Sequence, residues 1–217
     1  MKKKELILRY IVDIFGVFLI GIGIAFAKRA DLGISPISSV PNVLSIKFPF
    51  FTVGTWLTLW NCFFVIVQLI ILRKKFKPIQ FIQLPISFLL GIFTDFGVML
   101  VSSIPASSYP IRLLLVVISV SILSFGISLT VVANTVMNVG EAMVDVVAKL
   151  VGKPFGSVKL VFDLCCVTLS VCMSLLFFNF QLVGVREGTL IAACFTGIAV
   201  KWLTKRIKNP IDSIVSK

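Results

Sequence analysis

Histidine is absent from this chain, and only nine acidic residues stand against 21 lysines and arginines. Losing imidazole removes the commonest transition-metal ligand and the usual neutral-pH proton shuttle. Charge of either sign is scarce: 14% of residues carry one, against roughly 25% in soluble domains. The five cysteines, Cys62, Cys165, Cys166, Cys172 and Cys194, all fall inside apolar runs and form no spaced pair, so they read as small buried hydrophobes and not as disulfides or metal ligands. No nucleophile-plus-base set, phosphate-binding glycine loop or nucleic-acid motif is present. No enzyme activity, cofactor, metal or nucleic-acid partner is therefore expected.

What the chain does have is apolar residues: they make up 58% of it, with a mean hydropathy of +1.08. That balance is an integral membrane protein, whose first partner is the lipid bilayer. Runs long enough to cross occur at about 6–27, 52–72, 79–102, 111–133, 155–178 and 186–204. Two shorter polar stretches, 31–47 and 138–151, are too short to span and read as interfacial or re-entrant helices. The expected fold is an all-α polytopic membrane protein, a single transmembrane domain over 1–217. Met1-Lys-Lys-Lys and Ala25-Phe26-Ala27 imitate a cleavable signal, but the run from Leu6 spans and Asp13 interrupts it, so an uncleaved helix is expected.

Basic residues cluster at the N-terminus (Lys2, Lys3, Lys4, Arg9), after the second run (Arg73, Lys74, Lys75, Lys77), around the second polar stretch (Lys149, Lys153, Lys159) and in the tail (Lys201, Lys205, Arg206, Lys208). The positive-inside rule then puts both termini in the cytoplasm. Lys28, Arg29 and Lys47 run against that count, since they would lie outside.

The chain reads as a duplication, about 6–102 and about 111–204. At an offset of 106, Ser35 aligns with Glu141 and Ser39 with Asp145; at 102, Gly54-Thr55 aligns with Gly156-Ser157, Asn61 with Asp163 and Phe93-Thr94 with Phe195-Thr196. Each unit holds an odd number of crossings, so the second enters the membrane from the opposite side and the repeat is inverted, as in many transporters.

Chemistry would sit on the polar residues between apolar runs. Ser35, Ser38, Ser39 and Asn42 share one helical face, as do Glu141, Asp145 and Lys149. The second set is either a solvated face or a cation or proton site lined by Glu141 and Asp145. Lys159 and Asp163, one turn apart, neutralise each other. Asp95 has no cationic neighbour within a turn and faces a cavity or a partner helix, is protonated, or sits at the membrane edge. Asp13 beside Arg9 reads as an interfacial ion pair. Asp31, Asn61, Asn134 and Asn138 complete the pathway candidates. Small residues, Gly21, Gly23 and Ala27, then Gly184, Gly188 and Ala192, mark close helix approaches.

Leu32-Gly33-Ile34-Ser35-Pro36, Val53-Gly54-Thr55 and Gly188-Thr189 resemble the YitT/YczE/YyaS group of bacterial multi-pass membrane proteins, over nearly the whole chain. Asn138-Val-Gly-Glu141-Ala departs from the Leu-Gly-x-Ser-Pro form of the first half. The resemblance implies a bacterial plasma membrane, about six helices and, since the chain ends soon after its last helix, the YczE/YyaS branch; it implies no substrate. The leading expectation is a small-solute or ion transporter or channel. The alternative is a scaffold or regulatory protein that binds a second copy or another membrane protein through its small-residue faces. An intramembrane lipid-handling enzyme is a third, disfavoured by the missing catalytic set.

Overall fold

The computed structural model describes residues 3–215 and the side chains of 4–211. Lys2 and the side chain of Lys3, counted above toward the basic N-terminus, lie outside them. Among the described residues there are eight α-helices, two short 3-10 turns between the third and fourth, and no strand: α1 (Lys3–Ala30), α2 (Pro36–Lys47), α3 (Val53–Leu72), α4 (Gln83–Val101), α5 (Tyr109–Ala133), α6 (Val139–Val151), α7 (Phe155–Phe177) and α8 (Glu187–Val215). The fold is all-α and polytopic. Five helices, α1, α3, α4, α5 and α7, are long and apolar enough to cross a membrane. The expected sixth, α8, is not among them, because its apolar stretch stops at Lys201 and runs on through Lys205, Arg206 and Lys208. It still lies along α5, with Ala192 in one cluster with Val116 and the Ser128 hydroxyl 3.4 Å from the Val200 carbonyl.

Helices α1 and α5 form the centre and run antiparallel. Arg9 reaches the Val132 and Ala133 carbonyls, Gly16 faces Gly126, and Ser119 Oγ donates to the Gly23 carbonyl at 2.7 Å. A methyl on Gly16 would sit 2.8 Å from the Gly126 carbonyl oxygen, and one on Gly126 would sit 2.7 Å from that of Gly16. Lipid offers no hydrophobic force between helices, so such close backbone packing is what holds them. Helix α4 covers α1, with Gly21 on the Phe93–Thr94 backbone, while α8 covers α5. Burial follows this order: the most apolar stretch of α5 is 61% buried and that of α7 only 17%, so α7 faces lipid.

The two short helices are inserted, not laid on the surface. Most of α2 and of α6 is buried. Ile34, just before α2, packs with Ile20, Ile24, Leu57 and Leu123, well inside α1 and α5. Val139 and Met143 pack with Phe64, Val65 and Cys166. The first turns meet, for Ile37 Cδ1 lies 2.8 Å from where a Cβ on Gly140 would stand. From there the two helices diverge. Helix α2 ends where α7 ends, Lys47 Nζ donating to the Phe177 carbonyl at 3.1 Å. Helix α6 ends beside the start of α7, with Val144 and Ala148 against Val158. They therefore leave the centre toward opposite ends of the fold.

Each insertion needs the backbone to reverse. Asp31 and Asn134 do this at φ 55° and 50°, in the left-handed region that Asp and Asn visit more readily than other non-glycine residues. Gly33 at φ 93° bridges Val185 in antiparallel fashion, and a Cβ there would meet Thr189 Oγ1 at 2.3 Å, so only glycine fits.

Candidate functional site

An opening of about 710 Å³ lies at the end of the fold to which α2 runs. Its charged lining comes from the last turn of α1 (Lys28, Arg29), the reversal after it (Asp31) and the first turn of α5 (Arg112). Each head is held by the fold. Lys28 Nζ donates to Asn42 Oδ1 at 3.3 Å and to Ser45 Oγ at 3.1 Å. Arg29 Nε donates to the Ile104 carbonyl at 2.7 Å. Arg112 Nε donates to the Ala106 carbonyl at 2.9 Å, and its Nη1 pairs with Asp31 at 3.3 Å. Asn42 Nδ2 donates to the Gly184 carbonyl at 2.8 Å, tying α2 to the turn before α8. Three cations face one carboxylate, so the opening is electropositive.

The expected residues of the first half divide. Asp31 and Asn42 line this opening. Ser35 and Ser39 instead serve α2 itself: Ser35 Oγ donates to Ser38 Oγ, and Ser39 Oγ to the Pro36 carbonyl. Asn61 is buried within α3. Asp95 faces a neighbouring helix, one of the alternatives its sequence position left open. Its Oδ1 accepts from the Gly54 backbone N–H at 2.8 Å and its Oδ2 from Thr52 Oγ1 at 2.6 Å, so it satisfies the first turn of α3 from across the α3–α4 contact.

In the second half the two carboxylates of α6 have different partners, and for Asp145 the partner is the Lys149 of the solvated-face alternative. Asp145 pairs with Lys149 and borders a separate opening of about 180 Å³. Glu141 belongs electrostatically with Lys159 and Asp163 of α7, which pair with each other as their spacing predicts. Burial pushes the Glu141 carboxyl above the usual carboxylate range; the Lys159 ammonium pulls it down and Asp163 pushes it up. Asn134 caps the end of α5 in the left-handed conformation and Asn138 precedes α6 without a side-chain cap bond, so both are turn residues.

Two further expectations change, and a third, close approach at the small residues, is met. Asp13, 2% exposed, accepts from Thr135 Oγ1 at 2.7 Å, while Arg9 pairs with Glu5, and no Arg9–Asp13 ion pair exists among the described residues. Cys165, Cys172 and Cys194 lie on the exposed surface, and only Cys166 is fully buried; all five are free. The small residues of α1 and α8 are used inside the fold: Gly23 packs on the Leu123 backbone and Gly188 donates to the Leu32 carbonyl at 2.7 Å.

Some polar residues escaped the sequence reading. Arg112 and Lys28 are separated by more than 80 positions, so nothing local links them. Gln68 and Gln83, both buried, meet at 3.3 Å, with Gln68 Nε2 also 3.5 Å from the Val139 carbonyl at the start of α6. A polar amide inside an apolar run was the signal for each.

Among the described residues, no three or more His, Cys, Asp and Glu side chains are grouped to hold a metal ion. No curated protein and no solved structure matches the chain. Residues 7–205 of the chain's 217 match the family described as a family of unknown function, DUF6198, and the protein belongs to that family.

Proposed function

We propose that this integral membrane protein moves a small charged solute across the bilayer as an inverted-repeat transporter without enzymatic activity. The observation that carries the reading is the meeting of α2 and α6: two helices too short to span, entering from opposite ends, with first turns in contact at Ile37 and Gly140. Non-helical backbone at membrane depth is tolerated only where protein buries it or a water-filled cavity lines it, and paired half-helices at the repeat interface are where transporters place their binding groups. On this reading one repeat covers about 6–102 and the other about 111–204. Asp31 and Asn42 lie on one side of the pathway, Glu141, Lys159 and Asp163 on the other.

The surrounding placement is a bacterial plasma membrane with both termini cytoplasmic, a reading supported by the basic residues gathered at the end holding the start of α1 and the ends of α3 and α6. Kinship with the YitT/YczE/YyaS group is part of the same proposal. The scaffold alternative loses its proposed surface, since the small residues that would dock a partner are taken up by intramolecular packing.

The test is access from the two sides. In a background with the five cysteines replaced, single cysteines at Ile46, beside the larger opening, and Val146, beside the smaller, are placed in liposomes and treated with a membrane-impermeant maleimide. Each should label from one side only, and from opposite sides. Labelling of both from the same side would sink the inverted build.

A further inference from the structure

We infer that the larger opening is a binding site for a small oxyanion, a carboxylate or phosphate group, held by Lys28, Arg29 and Arg112; as a substrate assignment it rests on the transport reading, whereas binding itself does not. Three observations converge. First, the lining carries three cations and one carboxylate, an excess of two positive charges around about 710 Å³, within the size range of small-molecule sites. Second, these heads are pre-positioned. Backbone or side-chain acceptors fix one edge of each: Ile104 for Arg29, Ala106 and Asp31 for Arg112, Asn42 and Ser45 for Lys28. A guanidinium has five N–H donors, and Arg29 commits one of them to Ile104 and Arg112 one each to Ala106 and Asp31. Third, the cations stand at the end of the fold opposite the main basic clusters, where the positive-inside rule disfavours them and topology gives them no task.

The ordinary explanation is that Lys28 and Arg29 complement the C-terminal dipole of α1 and reach toward headgroups. It accounts for two basic residues at a helix end. It leaves out Arg112, at the start of α5, where a cation opposes the helix dipole. Arg112 is drawn there by Asp31, whose carboxylate occupies the position an incoming oxyanion would take. Asp31 thus acts as an internal competitor: an anionic ligand would displace its pair with Arg112, which is 3.3 Å long and, with the Asp31 side chain 64% exposed, weakly held.

The experiment measures binding of inorganic phosphate and of succinate to the purified full chain in neutral detergent, by calorimetry. Arg29→Gln should weaken the tighter of the two about tenfold or more, as expected for one charge-assisted contact. Asp31→Asn should tighten it several-fold, a gain that a folding defect cannot imitate. Repeating the titration in nanodiscs separates the sources of the ligand. Phosphate binding that survives in phosphatidylglycerol discs assigns a water-borne solute; binding abolished there but kept in phosphatidylcholine assigns a lipid headgroup. Both outcomes support an oxyanion site. No binding of either probe, or affinity unchanged by both substitutions, overturns it. Binding without flux in liposomes would uphold the site and remove the transport reading instead.

Discussion

The α3–α4 pair and the α7–α8 pair occupy corresponding places in the chain, yet only the first is fastened together. Gly54 lets α3 approach α4 until a Cβ there would stand 2.1 Å from the Gly91 carbonyl oxygen, and Asp95 closes the contact on Gly54 N–H and Thr52 Oγ1. At the offset of 102, Thr52, Gly54 and Asp95 align with Pro154, Gly156 and Gly197. None of those can make the clamp, and both glycines have open space where a side chain would be. Helix α7 accordingly packs on α2 and α6 and turns the rest of its surface to lipid. The lesson is that α3 and α4 are locked to each other by hydrogen bonds, while α7 is held by both re-entrant helices, α2 as well as α6, and α8 by α5.

The largest effect that would break this comparison comes from the glycines. Gly54→Ala must force α3 from α4 and should destabilise the protein by about 3 kcal/mol, the upper range for overpacking. Gly156→Ala, in open space within α7, should be neutral or stabilising by up to about 1 kcal/mol. Thermal unfolding in detergent, followed by retention of a monodisperse peak, compares the two. Equal effects would mean the halves are packed alike. Next in size is Asp95→Asn. It keeps one acceptor but surrenders the charge, and should lose about 1.5 kcal/mol, the lower range for a hydrogen bond to an ionised group. The same measurement on Gly197→Asn should show little change, because nothing opposes that position.

Hydropathy revealed the elements because a bilayer imposes length: five of the six long runs became helices within a few residues, the sixth ran on to Val215, and the two polar stretches became the two short helices. Their insertion was not legible. A stretch of 12 or 13 residues with a polar face fits a surface helix equally well, and only contacts such as Ile37 on Gly140 decide. The partners of Asp95 were illegible for a related reason. Its donors lie 41 and 43 positions back, beyond any helical spacing, so an acid that is satisfied in three dimensions looked unpaired in one. The cation cluster was visible only as an exception to the charge count. Lys28, Arg29 and Lys47 stood on the wrong side, and that misfit was the available signal.

The re-entrant helices sharpen the comparison with a smaller effect. Counted from the helix starts, the third residue of α2 is Ser38 and that of α6 is Glu141, so only the second half should respond to pH there. Glu141 faces Lys159 and Asp163 of α7, and burial raises its carboxyl above the ordinary value. A raised carboxyl binds its proton more tightly in the folded state, so folding stability contributed at low pH is lost as pH climbs through the raised value. Glu141→Gln should match wild type in acid and become the more stable at higher pH, by up to about 4 °C in midpoint. Melting curves between pH 4 and 8 read this directly. Parallel wild-type and variant curves would mean that the carboxyl is not desolvated.

The smallest effect belongs to the other end of α6. Asp145 and Lys149 form an i,i+4 pair, but the lysine side chain is 73% exposed, whereas Lys159 in the aligned-sounding pair with Asp163 is 28% exposed. Exposed pairs of this spacing contribute about 0.3–0.5 kcal/mol, because water screens the attraction and two long side chains must be ordered to gain it. Lys149→Gln should therefore barely move the unfolding midpoint, and what it does move should vanish in high salt. Lys159→Gln leaves Asp163 without its ion-pair partner on α7 and removes the one cation acting on Glu141, so its effect should be larger and persist in salt. A salt titration of the two variants side by side separates a solvated ion pair from one sheltered by the fold, and equal salt sensitivity would place the α6–α7 charges in water.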